Sequence, residues 1–184
     1  MRKQIILFIA ALMSIGAMAQ GTPTKFLGIP VDGTKQAMIQ KLQAKGFTYD
    51  QKNDCCSGDF NGRKSYIYIA TNRNKVWRIM VIDKEGSSEG QIRIRYNRLL
   101  EQFTNNAKYR PFSYATDPLS EDEDISYEIE FHAKEYQAQF LQKAPDGEFY
   151  ENNMVWFRIA EYLEDYFIAI YYDNLNNGDN GEDL

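Results

Sequence analysis

The sequence predicts an α+β fold with helices packed on antiparallel sheet, and three observations lead there. Short runs of alternating apolar and polar residues follow one another at hairpin spacing. Two stretches carry apolar residues at helical spacing, each ahead of a group of strands. Aromatics make up 14% of the chain, with 13 Tyr and 11 Phe, side chains suited to pleated surfaces. The chain therefore reads as two tandem helix-then-antiparallel-hairpin units, about 31–83 and 87–172, inside one domain spanning 20–172. The repeat is architectural, because Thr34–Ile82 and Ser88–Tyr172 do not align residue by residue.

Before the domain, Arg2 and Lys3 precede an apolar run from Ile5 to Ile15, followed by Gly16-Ala-Met-Ala19. A basic start, a short apolar core and small residues at the end describe a secretory signal peptide, residues 1–19, cut near Ala19. The run is shorter than the roughly 20 residues a membrane span needs. No cysteine sits just after the cut, and no later apolar run is long enough to span a bilayer. The expected location is the periplasm or the outside of the cell.

The first helix is the best defined. Thr34 caps it after Gly33; Met38, Ile39 and Leu42 make its apolar stripe; Gly46 ends it, with Phe47 folding back on the last turn. Before it, Lys25–Ile29 is an apolar lead-in stopped by Pro30. After it, Cys56–Phe60 approaches a hairpin turn at Asn61-Gly62. Ser65–Thr71 is a strand with Tyr66, Tyr68 and Ala70 on one face and Ile67 and Ile69 on the other. Val76–Ile82 is the next, with Trp77, Ile79 and Val81 alternating against Val76, Arg78, Met80 and Ile82. Its two apolar faces predict a central position.

Ser88 and Gln91 match a capping box for the second helix, whose stripe is Ile92, Tyr96, Leu99, Leu100 and Phe103. Tyr109–Tyr114, broken by Pro111, reads as an edge strand. Asp117–Asp124 is an acidic loop. Ile125–Phe131 alternates cleanly and reads as a strand, as do Glu135–Gln142, Met154–Ile159 and Tyr166–Tyr172. Residues 173–184, acidic and rich in Asn and Gly, read as a disordered tail.

Phe-Leu-Gly-Ile-Pro-Val-Asp-Gly-Thr through Lys-Gly-Phe, Phe26 to Phe47, resembles the opening of a family of small exported proteins from Bacteroidota. The helix-plus-hairpin order is similar to the β-lactamase-inhibitor-protein-like fold and to the outer-membrane assembly lipoproteins of the SmpA/OmlA family. These resemblances imply a protein that works by surface contact. They carry no matched functional motif, and the chain lacks the lipid-modified cysteine of the lipoproteins.

The net charge of -5 argues against a nucleic-acid partner. Cys55 and Cys56 are the only cysteines; two free thiols, a bond between neighbours, an intermolecular bond or a metal role all stay open. Two cysteines without a nearby histidine make a poor zinc set. His132, the only histidine, reads as a solvated turn residue. Nothing marks a nucleophile elbow, a phosphate loop or a calcium loop, so no cofactor and no metal are expected. Glu121–Asp124 and the set Arg93, Arg95 and Arg98 are charged groups that either pair within the fold or meet a partner. The aromatics Tyr66, Tyr68, Trp77, Tyr136, Trp156, Tyr171 and Tyr172 form the candidate binding set, provided they share an uncovered sheet face; packing in the core is the alternative. The functional expectation is a non-enzymatic exported binding or inhibitor-like protein whose partner is another exported protein. The alternatives are a small-molecule or glycan-binding module and, behind it, a carboxylate-based hydrolase.

Overall fold

The computed structural model describes residues 21–112, 117–163 and 165–178, so the expected signal segment lies outside the described residues, as do 113–114 of the expected edge strand and 179–184 of the tail. A ribbon of two short strands, β1 (Lys25–Phe26) and β2 (Ile29–Pro30), leads into helix α1 (Lys35–Ala44). Thr34 Oγ1 accepts the Ala37 N–H at 3.3 Å and opens the helix. At the other end the Gly46 N–H bonds Gln43 O and the Phe47 N–H bonds Leu42 O, with Gly46 at φ 94°. This left-handed closure suits glycine and returns Phe47 to the core. Its ring then lies against Gly58, where a Cβ would sit 2.6 Å away, so that strand position has no room for a side chain.

Four strands follow: β3 (Thr48–Asp50), β4 (Cys55–Phe60), β5 (Arg63–Asn72) and β6 (Lys75–Asp83). The turns Asn61-Gly62 and Arg73-Asn74 hold positive φ at both central residues, the geometry whose twist matches a two-residue hairpin. Helix α2 (Glu89–Thr104) starts with the Ser88 N–H donating to Gln91 Oε1 at 3.2 Å. After it come β7 (Tyr109–Pro111), helix α3 (Ile125–His132), β8 (Gln137–Lys143), β9 (Phe149–Tyr162) and β10 (Asp165–Asn174).

The last eight strands form one antiparallel sheet in the order β3-β4-β5-β6-β10-β9-β8-β7. The class is α+β. Four consecutive strands fill each half, and the halves meet where Val81 of β6 faces Ile170 of β10. β6 is central, as its two apolar faces imply, and β7 is an edge.

The three helices among the described residues pack on one face. The stripe of α2 meets β8 and β9, with Phe103 stacked on Phe140 at 5.0 Å and on Phe157 at 5.6 Å. Met38, Ile39 and Leu42 of α1 join Cys56, Ile67 and Ile69 in the same core, and Ile125 anchors α3. Each fully buried Leu or Phe here contributes about 2 kcal/mol. No helix among the described residues is long and apolar enough to cross a membrane.

The structure corrects three expectations. Ile125–Phe131 is helix, not strand: its alternation also places Ile125 with Ile129 and Tyr127 with Phe131 one helical turn apart, and Asp124 caps the Tyr127 N–H at 2.9 Å. The alternation in β6 slips at a bulge between β5 and β6, so Val76 shares the helix-covered face with Ile79 and Val81 while Trp77 becomes the extra residue. The tail expected from residue 173 is folded at its start. Asp173 and Asn174 end β10, and the buried Asn177 donates to Asp32 Oδ1 at 2.8 Å and to Val76 O at 3.0 Å.

Candidate functional site

The face of the sheet opposite the helices is the candidate site. Alternation along each strand sends one set of side chains to it, and the strand registers align that set into rows. One row runs Tyr68, Met80, Tyr171, Trp156, Gln139 across five strands. A second runs Tyr66, Ile82, Ala169, Arg158, Gln137, and a third runs Ala70, Arg78, Asp173, Met154, Leu141. Tyr66, Tyr68, Trp77, Met80, Ile82, Trp156 and Phe167 are all half-buried there. An antiparallel sheet with one covered face ordinarily turns polar residues to the other; this one turns aromatics, Met and Ile.

At the centre of the face is a charged knot. The Arg78 Nε and Nη2 donate to the two carboxylate oxygens of Asp173, each at 2.6 Å. Trp156 Nε1 donates to the same carboxylate at 2.9 Å. Asp173 is only 2% exposed, so this charge is desolvated and depends on all three donors. The guanidinium lies 4.3 Å over the Trp77 ring, 5.0 Å from that of Tyr171 and 5.5 Å from that of Trp156. Trp156 and Tyr171 stack at 4.0 Å with an 11° tilt, making a flat aromatic plate.

Of the seven aromatics singled out from the sequence, Tyr66, Tyr68, Trp77, Trp156 and Tyr171 belong to this face. Tyr136 and Tyr172 do not. Both point to the helix-covered side, where the Tyr136 hydroxyl donates to Glu123 at 2.5 Å and the Tyr172 ring meets Phe26 at 4.9 Å. Tyr172 follows Tyr171 directly in a strand, so the two necessarily take opposite faces. Arg78, Met80 and Asp173 escaped the sequence reading. The bulge hid the first, and the presumed tail hid the last.

Cys55 and Cys56 are buried free thiols on successive strand positions, with their side chains on opposite faces, which rules out a bond between them in this strand. Burial pushes the Cys56 thiol up to about 11. Burial, with the charges of Asp50 and Asp54 behind it, raises Cys55, whose sulfur meets the Tyr68 hydroxyl. His132 is exposed beside Glu128, 3.0 Å away one turn earlier. No group of three or more His, Cys, Asp or Glu side chains among the described residues is placed to hold a metal ion.

No family model, curated protein or solved structure matches the chain.

Proposed function

We propose that this is an exported, non-enzymatic binding protein that holds another exported protein, inhibitor-like, on the uncovered face of its sheet. The observation that carries the reading is the composition of that face: five strand aromatics with Met80, Ile82 and Met154, set in rows across five strands. An apolar, aromatic surface of this extent is what partner recognition uses, with Tyr, Trp and Arg as anchors. The Arg78 knot supplies a rigid anchor at its centre. The order of elements supports a second level of the proposal. Each half of the sheet follows a helix and contributes four consecutive strands, consistent with tandem units and with the β-lactamase-inhibitor-protein-like comparison.

Photo-crosslinking tests the proposal. A photoreactive phenylalanine replaces Tyr66, Tyr68 or, as a control on the helix side, Tyr127 in the protein expressed in its native host. The expected result is a discrete adduct with one exported protein from positions 66 and 68 and none from 127. Adducts of equal yield from all three positions, or none from any, would overturn the reading.

A glycan is the second reading, favoured by the Trp156–Tyr171 plate, whose flat face suits the apolar side of a sugar ring. Quenching of tryptophan fluorescence by soluble oligosaccharides, abolished in Trp156→Ala, is the result it requires.

A further inference from the structure

A second site lies on the helix side, away from the face discussed above, between α2 and the β4–β5 turn. Arg95 occupies the buried stripe of α2 and is only 6% exposed. Its Nε and Nη2 face the Asp83 carboxylate at 3.3 and 3.4 Å. Those contacts are long for a charge-assisted pair, against 2.6 Å for Arg78 and Asp173 in the same molecule. Asp83 engages only the Nε and Nη2 of the guanidinium. Arg95 also lines a pocket of about 440 Å³ together with Arg63, Arg98, Gln91, Gln102 and Asn61. Among the described residues neither Arg63 nor Arg98 has a carboxylate partner.

Three arginines thus line one pocket that no carboxylate lines, in a chain whose net charge is -5. The pocket leaves room for a further acceptor beside Arg95, and a charged acceptor there would form the stronger class of hydrogen bond. The planar fork of guanidinium matches the oxygens of a phosphate or sulfate group, as it does those of a carboxylate, and several arginines together suit the more highly charged oxyanion. The amides of Gln91 and Gln102 add neutral donors. Gln102 is itself held by Asn61 Nδ2, which donates to its Oε1 at 2.8 Å.

We propose that this pocket binds a tetrahedral oxyanion of the phosphate or sulfate type through Arg63, Arg95 and Arg98. The anion is either free or the head of a larger ligand. A neighbouring apolar pocket of about 360 Å³, lined by Phe60, Leu99, Phe103, Tyr109 and Ile170, shares Asn61 and Gln102 with it and offers room for an apolar substituent.

The experiment titrates the purified protein with sodium phosphate, sodium sulfate and octyl phosphate below its micelle concentration, at ionic strength held constant with chloride, and follows backbone amide resonances. The site predicts saturable shifts confined to Asn61–Arg63 and Gln91–Gln102. Arg63→Gln, on a half-buried side chain, and Arg98→Gln, on an exposed one, weaken the affinity by about tenfold or more each. Octyl phosphate binding about tenfold tighter than phosphate, with shifts spreading to Phe60 and Tyr109, assigns the anion to an amphiphile; equal affinity assigns it to a free ion. Absence of saturation by all three probes, or unchanged affinity in both variants, would overturn the proposal.

Discussion

Asp173 shows what a single side chain commits the molecule to. Its carboxylate takes two bonds from Arg78 and one from Trp156 while almost wholly buried. Asp173→Ala leaves the Arg78 charge unpaired and the indole N–H unsatisfied, and should cost about 3 kcal/mol in urea denaturation. Glu123 gives the pH counterpart. Hydrogen bonds from Lys134 and then Tyr136 hold its carboxyl below the usual range. A carboxyl lowered in the folded state stabilises fully above its unfolded value and loses that contribution as pH falls through the folded one. The stability gap between the wild type and Glu123→Gln is therefore present at pH 7 and closes below about pH 4. A gap constant from pH 7 to pH 3 would contradict this. The two cysteines should titrate with a thiol reagent only when the protein unfolds, since both are buried and burial opposes the thiolate.

Helix α3 and strand β6 mark where elements were legible and where they were not. A short run with period-2 alternation also satisfies one-turn pairs, so Ile125–Phe131 could be settled only by its cap and by Ile125 finding the core. Asp124→Ala should therefore cost about 1 kcal/mol. At the other end Ala133 closes the helix with φ 50°, a left-handed conformation that a Cβ resists. Ala133→Gly should raise stability by about 1 kcal/mol, read as a higher urea midpoint. In β6 the hairpin turns were plain from Asn61-Gly62 and Asn72–Lys75, but a bulge has no sequence period. Its effect, Trp77 beside Arg78, appears only once β5 is paired. In β10, by contrast, Tyr171 and Tyr172 could not both have faced the same way; what the sequence lacked was which face the helices would take.

Across the whole molecule, the α+β class, the first two helices, the central position of β6 and the edge position of β7 follow from patterning, because local periods report which faces are buried. Sites built across the sheet do not. The open face joins residues from five strands, and the arginine pocket joins Arg63 to a helix some thirty residues later; only its α2 pair, Arg95 and Arg98, was visible as a helical spacing. The binding reading and the arginine pocket lie on opposite sides of the sheet, so substitutions in one should leave the other intact. Tyr68→Ser should abolish partner capture without changing phosphate titration, and Arg98→Gln should do the reverse.

The position of β10 carries one more consequence. The last strand among the described residues lies in the middle of the sheet, between β6 and β9. Until it emerges, β6 and β9 are two raw edges with no partner, and neither half of the sheet is closed. The sheet therefore closes only once β10 has been made, which delays compaction during synthesis. A chain ended at residue 163 should expose both edges and aggregate instead of unfolding cooperatively.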